Sequence, residues 1–171
     1  SATAYEETAK TTIADTSMSV GDTVVTLTSG TGFSAGDIIN FGDQYEYRIV
    51  SVSTNDINFV RKEEPQYFGA SDSSGLHAAP TNGANVRRRW KYYDLFDKAP
   101  GTSPFATALG GSGDELHIVV VDEDGTITGT KGDVLETYAA VSKASDAKTP
   151  QGDVNYYPDV IYNKSNYIYW M

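Results

Sequence analysis

The sequence contains no cysteine. Disulfides, thiolate nucleophiles and cysteine-ligated metals are therefore excluded, and the redox compartment cannot be read from it. Long apolar runs are also missing. None approaches the roughly 20 residues that cross a bilayer, so membrane insertion is not expected. The stretch Ser1 to Lys10 has no charged head followed by an apolar segment, which argues against a signal peptide. Basic charge is scarce: 13 Lys and Arg stand against 23 Asp and Glu, a net charge of -10. Such a balance repels phosphate backbones and makes nucleic acid a poor partner. Imidazoles number only two, His77 and His117.

Core-forming residues are plentiful. With 39% hydrophobic and 12% aromatic residues in 171, the chain can build one ordinary domain or two small ones. Thr23 to Thr28, Asp37 to Phe41, Tyr45 to Val52 and Asp56 to Arg61 read as short strands. The turns between them are Ser29-Gly30-Thr31-Gly32, Gly42-Asp43 and Thr54-Asn55, a spacing that suits a small barrel or sandwich. Residues 63–85, with Pro65, Pro80 and Ser71-Asp72-Ser73-Ser74-Gly75, read as a long loop. Val86 to Tyr93 resumes as a strand.

The second half changes character. Ser103-Pro104 before Phe105 to Leu109, then Gly110-Gly111, predicts a short capped helix. His117 to Val121 reads as a strand, Asp124-Gly125 as a tight hairpin turn and Thr126 to Thr128 as its return. Asp133 and Glu136 resemble a capping box, and Val134, Leu135, Tyr138, Val141 and Ser145 recur at helical spacing, so a helix is expected from Asp133. Pro158 opens a short helix through Lys164, and Tyr167 to Met171 reads as a last strand. The expected fold class is α+β: a small antiparallel β-barrel-like domain, residues 1–97, followed by part of an α/β domain, residues 98–171. The chain begins at Ser1 and ends inside an expected strand, so a piece of a longer protein is expected.

Chemistry-bearing patterns are weak. Asp122-Glu123-Asp124 fails the calcium-loop spacing, because Gly125 comes too early and Asp133 stands where a glutamate is needed. Gly125, Gly129 and Gly132 lack the terminal Gly-Lys-Ser/Thr of a phosphate loop. Neither histidine has a zinc-binding partner at helical spacing. No catalytic residue, metal or cofactor is expected. Arg87-Arg88-Arg89-Trp90-Lys91 is the one dense basic run. As a strand it sets Arg87, Arg89 and Lys91 on one face, where they pair within the chain or contact a neighbouring protein; these three are the expected inter-subunit contact. The aromatics Tyr156, Tyr157, Tyr162, Tyr167, Tyr169 and Trp170 read as packing around the last strand, or as an interface or sugar-binding surface.

The run Arg87-Arg88-Arg89-Trp90-Lys91-Tyr92-Tyr93-Asp94-Leu95-Phe96, the string from Asp114 through Gly129, then Val134-Leu135-Glu136, Val141 through Lys148, and Asn155 through Ser165 resemble the contractile tail sheath proteins of T-even-type (myovirus) phages. The resemblance covers roughly residues 87 to 171 and is most specific from His117 through Lys148. Residues 11 to 61 look like the outer β-barrel of such sheaths. The resemblance implies a non-enzymatic virion protein without cofactors, assembled in the host cytoplasm. Its partners would be neighbouring sheath subunits and, through regions not recognisable here, the inner tail tube. Sheath rings rearrange on contraction and drive that tube through the host envelope. The fragment itself would be a peripheral monomer. The rival expectation is an outward-facing module that binds a glycan or a protein.

Overall fold

The computed structural model describes residues 6–62 and 75–169. The chain divides into two compact units, Ser1–Asp94 and Leu95–Met171. Its sheets are antiparallel throughout, and helices are few.

Among its described residues the first unit holds six strands: β1 (Thr11–Thr12), β2 (Val24–Thr26), β3 (Ile38–Asn40), β4 (Tyr47–Ser53), β5 (Asp56–Arg61) and β6 (Asn85–Arg89). They form one sheet in the order β1-β6-β3-β4-β5-β2. The sheet curls into a half-barrel, and its two outer strands are tied where Ile13 bridges Leu27. Alternation drives the curl. In β5, Ile57, Phe59 and Arg61 turn inward while Asp56, Asn58 and Val60 do not. The enclosed core holds Ile13, Val25, Leu27, Phe41, Tyr47, Ile49, Phe59 and Val86 among others, with Phe41, Tyr47 and Phe59 packed as tilted and edge-on rings. A bulge in β4 between Ile49 and Ser51 breaks the period and leaves Val50 exposed. Most of the expected long loop, 63–74, lies outside the described residues. Its end does not: Leu76 is fully buried, and Leu76 N–H and C=O bond Asp22 and Gly21.

The second unit carries α1 (Pro104–Ala108), β7 (Glu115–Asp122), β8 (Asp133–Ser142) and α2 (Tyr157–Lys164). The short helix forms as expected: Ser103 Oγ accepts from Ala106 N–H at 3.1 Å, and Pro104 sits in the first turn. The helix expected from Asp133 does not form. Residues 133–142 are a strand that returns against β7. Two bulges explain the misleading period. One extra residue enters β8 opposite His117 and another between Glu136 and Val134, so Leu135, Tyr138 and Val141 reach one core at spacings of three. On the regular partner, Leu116, Ile118 and Val120 meet the same core at spacings of two. The tight turn at Asp124-Gly125 with its return strand at Thr126 to Thr128 is likewise replaced by a loop, 123–132. Tyr167 to Tyr169 forms no strand, and Trp170 and Met171 lie outside the described residues. With 133–142 extended, no strand–helix–strand crossover is present among the described residues.

At the first bulge Ala140 takes φ 51°, a left-handed conformation that costs an alanine about 1–2 kcal/mol. Ala140→Gly is therefore expected to stabilise the second unit by up to about 1 kcal/mol. Urea unfolding followed by tyrosine near-ultraviolet circular dichroism checks it; a lower midpoint for the glycine variant would contradict the reading.

Candidate functional site

The three arginines of the basic run lie in β6 and pair with carboxylates of the first unit. Arg87 Nη1 is 3.8 Å from Glu6. Arg88 donates to Glu7 at 2.8 Å, to Asp37 at 3.2 Å and to the carbonyl of Gly32 at 2.8 Å. Arg89 pairs with Glu46 and lies 4.8 Å over the Tyr93 ring. Lys62 reaches the same Glu46 at 2.6 Å and the Tyr93 hydroxyl at 3.1 Å. The expected shared face of Arg87, Arg89 and Lys91 is therefore not presented as a whole. The strand ends at Arg89, which is 5% exposed; Lys91 lies in the turn beyond, its Nζ 4.8 Å over the Tyr92 ring. Arg87, at 43% side-chain exposure, and Lys91 remain accessible.

Asp37 is the hub of this network and is fully buried. Its carboxylate accepts from Ser34 N–H at 3.0 Å, Lys91 N–H at 3.1 Å and the Arg88 guanidinium. The register of β3 beside β6, with Ile38 opposite Arg89, brings them together. Sequence reading saw the arginines and missed their partner, because the two are 51 positions apart.

In the second unit three carboxylates do comparable work. Asp114 accepts from Ser103 N–H at 2.8 Å, Ser103 Oγ–H at 2.7 Å and Ser142 Oγ–H at 2.5 Å. It thereby locks the start of α1 to the end of β8. Burial pushes this carboxyl upward, but the Ser142 hydroxyl and the Ser103 N–H and hydroxyl outweigh it and hold the pKa at about 2. Asp122 accepts from Thr128 N–H at 2.7 Å, Ile127 N–H at 2.9 Å and the Thr128 hydroxyl at 3.0 Å. The Thr128 N–H leads in lowering its pKa, against the opposing effect of burial. Asp122 is 3% exposed and shapes the 123–132 loop. Glu136 accepts from Ser165 Oγ–H at 2.6 Å, Asn166 N–H at 2.8 Å and Tyr138 O–H at 2.8 Å, fastening the chain after α2 to β8. Burial raises its carboxyl, and these three donors together bring it below the usual range.

Both histidines serve packing. The His77 ring stacks on Tyr45 with centroids 4.2 Å apart, and the His77 backbone N–H donates to the Tyr47 hydroxyl at 3.0 Å. His117 stacks on Phe96 at 4.0 Å. Its Nδ1 accepts from Ala140 N–H at 2.9 Å, which leaves Nε2–H to donate to the Lys98 carbonyl at 2.7 Å. The ring thus fills the gap that the bulge opens. Among the described residues no group of three or more His, Asp or Glu is placed to hold a metal ion.

Hollows are present among the described residues of each unit. One of about 220 Å³ lies in the first unit, between Phe41–Asp43 and Ala78–Ala84. Another, about 370 Å³, lies in the second unit between β8, Thr149–Asn155 and α2, with Asp153 and Lys164 on its rim. Of the eleven large apolar side chains exposed among the described residues, eight belong to the second unit. They include Tyr162, Tyr167 and Tyr169, so the C-terminal tyrosines do not pack around a last strand. Tyr156 and Tyr157 are half-buried and meet edge-on at 5.5 Å. Comparison with protein-family models, curated proteins and solved structures gives no match.

Proposed function

We propose that this chain is a peripheral piece of a contractile phage tail sheath subunit, moving as a rigid body when sheath rings rearrange. The observation that carries the reading is the sequence resemblance from Arg87 onward, densest from His117 through Lys148. That stretch is the β7–β8 hairpin and the loop after it. The physical picture supports a mechanical role. Carboxylates fix the loops to the strands in the second unit, and buried ion pairs do so in the first, which suits domains that must slide as solid bodies.

The second unit is, on this reading, part of a larger α/β sheath domain. Among the described residues its buried cluster has five members where the first unit's has twelve. An isolated two-stranded sheet is marginal in water, and β8 is the only strand neighbour of β7 among the described residues. Further strands from outside this sequence would complete it. Arg87 and Lys91, with the exposed apolar side chains of the second unit, are the surfaces offered to neighbouring subunits. Contact with the inner tube would come through regions beyond this sequence.

Negative-stain electron microscopy tests the proposal, comparing this chain with a version extended to the natural ends of its protein. The long form is expected to build tubes or helical arrays while this chain stays monomeric. If the long form builds nothing even with an inner tube supplied, the sheath reading falls. The first unit's hollow would then make a glycan- or protein-binding module the better account.

A further inference from the structure

Asn82-Gly83 is the sequence's only Asn-Gly pair. An asparagine amide followed by glycine is open to intramolecular attack, because no side chain shields the next backbone nitrogen. Both reacting groups are held in the first unit. Asn82 Nδ2, the leaving group, donates to the carbonyls of Ala14 at 2.8 Å, Asp15 at 3.1 Å and Ile13 at 3.5 Å. Gly83 N–H, the nucleophile, donates to the Ile13 carbonyl at 2.8 Å. The turn also needs glycine there, since Gly83 has φ +79°. The residue that makes the turn is thus the one that makes the side chain reactive.

We infer that Asn82 is a deamidation site which the folded first unit holds closed and which, once converted, does not close as well again. In the opened turn, Gly83 N loses its proton and attacks Asn82 Cγ. A C–N bond forms, ammonia departs, and the resulting succinimide is opened by water to aspartate or isoaspartate. No oxidant, metal or cofactor takes part. The product replaces a donor with a carboxylate facing three backbone carbonyls, of which only that of Ile13 keeps another donor, Gly83 N–H. Asp15, whose own carboxylate accepts from Thr26 N–H at 2.6 Å, stands beside them. The side-chain link between the turn and residues 13–15 is thereby lost, leaving only the backbone bonds of Ile13 with Gly83 and Ala84 at the point where the outer strands of the half-barrel meet.

Peptide mapping by mass spectrometry tests this on the whole chain, incubated at mildly alkaline pH with and without denaturing urea. Conversion at Asn82 is expected to be at least about tenfold slower in the folded chain, as protection by a local opening equilibrium requires. Equal rates in the two states, or no conversion in either, would overturn the inference. Asn82→Asp is the second arm. It is expected to lower the melting temperature of the first unit or to prevent its folding, and melting like the parent chain would refute the latch.

Discussion

Asp37→Ala is expected to unfold the first unit or to destabilise it by about 3–5 kcal/mol, the usual cost of removing one partner from a buried ion pair. Three donors converge on this carboxylate, from Ser34, Lys91 and Arg88. Truncation leaves the Ser34 and Lys91 N–H groups without their acceptor and the Arg88 charge with only Glu7 to balance it. Each lost acceptor in a buried setting adds to the penalty. Asp37→Asn is expected to fall between, because an amide keeps one acceptor and turns a second donor toward existing donors. The sharper check is a double-mutant cycle with Arg88→Met. An apolar replacement of both partners removes the stranded charge, so the double variant should be markedly less damaged than the two single losses added together. Thermal unfolding followed by Trp90 fluorescence, in a Trp170→Phe background, reads the first unit. Strict additivity would mean that Asp37 and Arg88 do not act as a pair.

How far this arrangement was legible in the sequence varies along the chain for definite reasons. Strands β2 to β5 follow from alternation and turn residues, because one face of a curled sheet must be apolar and the glycines and polar pairs fall between. The Thr54-Asn55 turn was visible even though Thr54 must take φ 54° there. It is held by a close approach, since a Cβ on Gly30 would lie 2.0 Å from the Thr54 carbonyl oxygen. The second unit misled for the opposite reason. Bulges in β8 changed a period of two into a period of three, and no local signal separates that pattern from a helix face. The capping-box appearance of Asp133 and Glu136 compounded it. In fact Asp133 opens the strand opposite Asp122, and Glu136 reaches forward to Ser165 and Asn166. The polar hubs were the least legible. Asp37, Asp114 and Glu136 each meet partners remote in sequence, and only Ser103, as a helix cap, announced one end of such a link.

Those hubs lead to the second large effect: the second unit is expected to lose its structure in acid, between about pH 5 and pH 2, before the first. Asp114 titrates at about 2 in the folded chain, and Asp122 and Glu136 are also held below their ordinary values. An unfolded carboxyl titrates near 4, so in this range the unfolded chain binds more protons than the folded one. The stabilisation is therefore complete above the unfolded value and drains away as pH falls through the folded one. The unit has little else to fall back on, with a small buried cluster and a two-stranded sheet. Nitrogen–proton correlation spectra across an acid titration would follow the units separately, and resonances of β7, β8 and α2 should collapse first. Asp114→Asn supplies the control. It should lower stability at neutral pH, because its amide meets the donors of Ser103 and Ser142, and it should flatten the acid limb, because the proton-linked group is gone. A variant with the parent's acid limb intact, or two units that unfold together, would show that this carboxylate does not govern how the second unit responds to acid.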